Sequence, residues 1–170
     1  MILILMGVSG VGKTTIGQLL SRRAGWRFED ADDYHSDENR RRMAAGIPLT
    51  DADRLPWLGA VHARISQYLQ EGKSAVFACS ALKQQYRATL TGGFAESEIR
   101  FVYLYAPAAL IRERTQLRNH PYMNPNLLDS QMATLEEPSG AWQVSATESP
   151  EQSVNDILGR LRGAGLIDRA

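Results

Sequence analysis

The stretch GVSGVGKT at residues 7–14 constrains this chain more than any other. It fits G-x-x-x-x-G-K-[ST] in full. Glycines let a backbone turn tightly and aim several N–H groups at one phosphate. A helix that starts at such a loop adds its positive end. Lys13 is then placed to reach the β- and γ-phosphates, and the Thr14 hydroxyl to ligate Mg2+. The flanks agree with this reading. The apolar run ILILM precedes the loop, and Ile16, Leu19 and Leu20 recur at helical spacing after it. Gly7, Val8, Ser9, Gly10, Val11, Gly12, Lys13, Thr14 and Thr15 are therefore the candidate ATP-binding residues, which makes a purely structural glycine turn a poor account of the stretch.

A strand–loop–helix of this kind belongs in a parallel sheet, and the rest of the chain supplies one. Continuous apolar runs at 2–6, 74–79 and 100–105, with weaker ones at 26–28 and 142–146, read as strands. Helical patterns fall between them, at about 13–24, 37–45, 53–71, 81–91, 107–118, 126–136 and 150–163. Alternation of this sort predicts an α/β fold with helices on both faces of a parallel sheet. At 170 residues the chain suits a single domain spanning 1–170. Formal net charge is zero, so no global field draws nucleic acid or a membrane surface. The opening MILILMG is too short to span a bilayer and lacks a basic flank, so a cytoplasmic protein is expected. Cys79, the one cysteine, lies in an apolar run and reads as a buried thiol.

Several classes of protein use such a loop. A guanine-reading N-K-x-D is absent, and AVFACS ends without the acid expected of a large ATPase machine. A small kinase remains. It needs a carboxylate for the acceptor hydroxyl and cations for the moving phosphoryl group. DADDYH at 30–35 follows the weak second strand, so it falls at the sheet edge where ligands of open α/β folds bind. The competing reading is a solvated acidic loop that caps the helix near 37. Leu58, Val61, Ile65 and Leu69 mark the core face of the helix at 53–71. Asp53 reads as its N-cap, with Pro56 in its first turn. Arg54 is a cation where the helix dipole disfavours one, which calls for a nearby anion: Asp51, Asp53 or a ligand.

Taken together, GVSGVGKTT, DADDYHSDENRRRMAAGIPLTDADRLPWL, CSALKQQYR and LLDSQMATLEEP resemble the gluconate kinases, small phosphate-loop enzymes of the shikimate-kinase-like group. The resemblance runs from residue 2 to about 138. It implies a three-layer kinase fold with a five-stranded parallel sheet, a mobile lid at about 112–126 and an acceptor-binding segment at about 30–58. It implies ATP and Mg2+, a 6-phosphogluconate product and a homodimer. By position, Asp32 matches the family's candidate base, which could also hold Mg2+ through water. His35 matches a histidine able to hydrogen-bond the sugar acid, and Arg54 the arginine that would bind its carboxylate. Lys83 closes CSALK, placed to meet acceptor or phosphate, and Arg87, four residues on, shares its helical face. Arg114 and Arg118, four apart in the lid, suit a transferring phosphoryl group. The plainer readings are a solvated helix face for Lys83 and Arg87, and a surface pair beside Glu113 for the two lid arginines.

The chain departs from the family at three places. Ala31 stands where the family usually has glycine, and Arg42 where it has lysine. RNHPYM at 118–123 displaces the usual histidine, with His120 one place early and Pro121 in its position. The last departure keeps an alternative open, a kinase for another small sugar acid or a shikimate-like acid. A nucleotide-binding protein without transfer is a further class; the intact Lys13, Thr14 and Asp32 argue against it.

Overall fold

The structure, a computed structural model, describes residues 1–117 and 125–167. Its elements run β1 (Ile2–Met6), α1 (Lys13–Ala24), β2 (Arg27–Asp30), a 3-10 turn (Ala31–Tyr34), α2 (Asp37–Ala44), α3 (Asp51–Gln70), β3 (Ala75–Ala78), α4 (Gln84–Thr91), β4 (Ile99–Tyr105), α5 (Ala108–Leu117), α6 (Pro125–Thr134), β5 (Trp142–Ser145) and α7 (Pro150–Gly163). The five strands form one parallel sheet in the order β2-β3-β1-β4-β5. The α/β expectation holds, including the strands at 26–28 and 142–146 that the sequence marked weakly.

Strand side chains alternate between two cores because both faces of the sheet are covered. Leu3, Leu5, Val76, Val102, Leu104 and Val144 face one core, which α1 and α7 close with Ile16, Leu20, Val154, Ile157 and Leu161. Ile2, Ile4, Met6, Ala75 and Phe77 face the other, closed by Trp57, Leu58, Val61 and Ile65 of α3 and by Tyr86 and Leu90 of α4. Close approach sets where α1 lies. A Cβ on Gly17 would stand 2.5 Å from the Phe28 ring of β2. Cys79 is buried as expected, and desolvation pushes its thiol up to about 12.

Two helix starts differ from the sequence expectation. Helix α3 begins at Asp51 with Thr50 as its N-cap. Asp53 is the third helical residue, and its carboxylate returns to the Thr50 N–H at 2.7 Å in a capping box. The reciprocal pairing satisfies two N-terminal donors, which a cap at Asp53 would leave open. Pro56 consequently lies beyond the first turn, inside the helix. Helix α4 begins at Gln84, three residues later than its periodicity suggested, because Ala81 takes a left-handed φ of 45° that a helix cannot include. Lys83 is the extended residue before α4, so it shares no helical face with Arg87.

Candidate active site

Parallel strands send their C-terminal loops to one edge, and here those loops carry the motifs. Residues 7–12 follow β1, DADDYH forms the end of β2 and the 3-10 turn, and CSALK follows β3. The Gly7 N–H donates to the Ser80 carbonyl at 3.2 Å, which ties the first loop to the third. Gly7 has a φ of 139°, and a Cβ there would lie 2.6 Å from the Leu104 carbonyl oxygen. Only glycine fits that entry to the phosphate loop.

Lys13 folds back over the loop, and its Nζ donates to the carbonyls of Gly7 at 2.9 Å and Val8 at 3.0 Å. Burial lowers the pKa of its ammonium, while Asp32 and Asp30 act in the opposite direction. Both carboxylates thus lie within electrostatic reach of the cation that would hold phosphate. The acidic cluster divides its work. Asp30 accepts from the Thr14 hydroxyl at 2.9 Å through one oxygen and from the Asp32 N–H at 3.1 Å through the other. It joins the phosphate loop to the turn that presents Asp32, whose side chain is 79% exposed. The cluster does not cap α2; Ser36 does, accepting from the Asn39 N–H. Thr14 and Asp30 offer a hydroxyl and a carboxylate side by side. Such hard oxygen donors fit Mg2+, which takes one or two carboxylates plus substrate phosphates.

The acceptor side is built on α3. Trp57 donates its indole N–H to the Ala31 carbonyl at 2.6 Å and stacks on the His35 ring at 4.3 Å. His35 is only 6% exposed, and its Nδ1 finds no hydrogen-bond partner among the described residues. Its Nε2 lies 4.0 Å from Asp32 Oδ1. Burial, with the charges of Arg54 and Arg40, lowers the His35 pKa to about 4, so the ring is neutral at physiological pH. Arg54 lies over the Tyr86 ring at 5.6 Å and, among the described residues, makes no ion pair. The anion its position called for is neither Asp51 nor Asp53. Asp51 accepts from Lys83 Nζ at 2.9 and 3.0 Å, from Gln85 at 3.0 Å and from the Tyr86 hydroxyl. These donors, the Tyr86 hydroxyl first and then Lys83, hold its carboxyl down at about 2. Asp53 pairs with Arg42 at 2.9 Å.

Two cations expected at the ligands make contacts within the chain. Arg87 is 5% exposed and donates to the carbonyls of Ala81 at 2.9 Å and Leu82 at 3.1 Å and to Gln84 Oε1 at 3.0 Å. It braces the strained acceptor loop from behind. Arg114 donates to the carbonyls of Ala146, Thr147 and Glu148 in the loop between β5 and α7. Arg118, His120 and Pro121 lie outside the described residues, as does the middle of the expected lid.

The family described as "AAA domain" matches residues 2–138. A protein called "Probable gluconokinase" from Dictyostelium discoideum is 43% identical over 143 residues, covering 82% of this chain and 72% of that one. This chain belongs to the gluconokinase family. A "Gluconokinase" from Gluconobacter oxydans (strain 621H) is 39% identical across 92% of this chain and 88% of its own. The crystal structure of a gluconokinase from Sinorhizobium meliloti 1021 superposes with a TM-score of 0.84. It is 36% identical, covering 95% of this chain and 91% of that one. The fold and the loops that line its edge are thus those of a known kinase family.

Proposed function

We propose that this gluconokinase-family enzyme transfers the γ-phosphoryl group of ATP to the 6-hydroxyl of D-gluconate, with Asp32 as the base. The observation that carries the reading is the juxtaposition of Asp32 with Lys13 on one side and with His35 on the other, with the Arg54 charge acting on His35 in turn. Gly7–Thr15 cradle the triphosphate, and Lys13 leaves the Gly7 and Val8 carbonyls for the phosphate oxygens. Thr14 and Asp30 hold Mg2+, which supplies charge neutralisation at the phosphates. Arg54 takes the gluconate carboxylate, supplying the missing anion. His35, neutral at working pH, hydrogen-bonds a sugar hydroxyl. Lys83 exchanges Asp51 for the acceptor. Asp32 accepts the hydroxyl proton as the acceptor oxygen attacks the γ-phosphorus. The bond to the β-phosphate breaks and ADP leaves. Arg87 and Arg114 enter this reading as braces, and Arg118 as the cation that neutralises the moving phosphoryl group.

The test is ADP release from Mg-ATP with D-gluconate, shikimate or other sugar acids as acceptor. Stimulation by gluconate is expected. Asp32→Asn retains nucleotide binding and loses all but about 1% of turnover, a general-base contribution of ~10²-fold or more. Near-normal turnover in that variant removes Asp32 from the mechanism. A response to another acid alone replaces the acceptor. We also propose a cytoplasmic homodimer; no helix among the described residues is long and apolar enough to cross a membrane. Size-exclusion chromatography with light scattering reads the dimer directly.

A further inference from the structure

The segment LLDSQMATLEEP has no part in the reaction as derived so far, yet its side chains reach both halves of the site. Gln131 of α6 makes two hydrogen bonds to one residue at the tip of the phosphate loop. Its Oε1 accepts from the Ser9 N–H at 2.6 Å, and its Nε2 donates to the Ser9 hydroxyl at 3.0 Å. Ser9 follows Gly7 and Val8, whose carbonyls hold Lys13 Nζ, so this tip lies where Lys13 would meet the γ-phosphate. Five residues on, Glu136 holds the acceptor loop by two bonds. Its N–H donates to the Leu82 carbonyl at 2.9 Å, and its carboxylate accepts from the Gln84 N–H at 2.6 Å. That carboxylate also lies at the positive start of α4 and acts on the Arg87 charge.

The hydrophobic contacts run the same way. Leu128 of α6 belongs to the core on the α1 face, and Leu135 packs against both cores. The segment therefore crosses the sheet edge from the nucleotide layer to the acceptor layer.

We infer that Gln131 and Glu136 are positioning residues, and that residues 131–136 form a strut through which a triphosphate at Ser9 raises the affinity for the acceptor at Lys83. Any such coupling is reciprocal, so bound acceptor tightens the triphosphate equally. A nucleoside diphosphate, which lacks the γ-phosphate, couples weakly. The inference rests on the gluconate reading above.

The experiment titrates D-gluconate calorimetrically into the protein alone, with Mg-ADP, and with the Mg complex of β,γ-imido-ATP. Wild-type protein is expected to bind gluconate at least ~5-fold tighter with the imido analogue, the lower end of ordinary coupling, and less than twofold tighter with ADP. Gln131→Ala and Glu136→Ala each bring the imido factor to within twofold of one; Gln131→Ala keeps the affinity for gluconate alone, while Glu136→Ala lowers it, because Glu136 also holds the loop that carries Lys83. The double variant loses no more than either single one, as two ends of one connection require. Thermal melts confirm folding, and Gln131→Met, which keeps the side-chain length and removes both bonds to Ser9, gives the same loss of the factor where the alanine variant does not fold. An unchanged factor in both alanine variants overturns the strut. So does a wild-type factor near one, or equal factors for ADP and the imido analogue. Gluconate-stimulated ADP release, measured on the same wild-type sample, separates the two failures. Its presence confines a failed coupling test to the strut, and its absence overturns the acceptor reading together with the strut.

Discussion

His35 shows how one residue can be tuned by its neighbours on all sides. The loss of water under the Trp57 ring that covers it favours the neutral imidazole, and the guanidinium groups of Arg54 and Arg40 reinforce that preference. Folded, the ring stays neutral down to about pH 4; unfolded, it takes its proton near 6.5. The unfolded chain binds the extra proton in that window, so this group lowers stability as pH falls from about 6.5 toward about 4 and contributes no slope above 6.5. Urea denaturation at pH 7.5 and pH 5.0 should show a smaller acid loss in His35→Gln than in the wild type. Equal losses would show that His35 does not carry the effect. The position of His35 was readable from the DADDYH motif and its resemblance. Its burial was not, because Trp57, which covers it, lies 22 residues away in another element. Asp30 was equally opaque. DADDYH by itself does not rank its three aspartates, and the Thr14 contact is what separates Asp30, beside the phosphate loop, from the exposed Asp32.

At the scale of elements, the acceptor loop between β3 and α4 is where local propensity and tertiary structure part. The run Ala81, Leu82, Lys83 has good helix formers, and the periodicity extended the helix through it. In the structure Ala81 is left-handed, at a cost of about 1–2 kcal/mol for a residue with a Cβ. Three donors of Arg87 and the Glu136 contacts hold it there. Strain of this kind persists only where the surroundings impose it. Replacing Arg87 by methionine keeps the apolar stem and leaves the Ala81 and Leu82 carbonyls buried without their charged donor. We expect a loss of about 2 kcal/mol, roughly 4–8 °C in Tm. The KM for gluconate should rise more than the KM for ATP, since Lys83 rides on this loop and Lys13 does not. Equal rises in both would place Arg87 in general stability instead. The strands and α1 were legible because burial on both faces writes continuous apolar runs, and the start of α3 was misplaced for want of the capping pair. Thr50 three residues before Asp53 was the signal available. No comparable signal marks Gln131, whose partner is 122 residues away in sequence.

For the whole molecule, the sheet separates a nucleotide half from an acceptor half. The core beneath α1 and α7 supports the phosphate loop, and the core beneath α3 and α4 supports Arg54, His35 and Lys83. The halves meet at the C-terminal edge, where Gly7 bonds to Ser80 and Asp30 to Thr14. Each ligand should therefore stabilise the folded chain by itself, by mass action on its own half. At a hundredfold excess over Kd the stabilisation is about 2.7 kcal/mol, which for a chain of this size raises Tm by roughly 5–10 °C. Lys13→Met discriminates between the halves. Among the described residues Lys13 bonds only to the Gly7 and Val8 carbonyls at the phosphate loop, while Arg54, His35 and Lys83 rest on the opposite layer. The variant should lose most of the rise caused by Mg-imido-ATP and keep the rise caused by gluconate alone. Differential scanning fluorimetry with each ligand measures both. A variant that loses both rises would mean that the phosphate loop shapes the acceptor site even without nucleotide, and one that loses neither would leave Lys13 outside the nucleotide site.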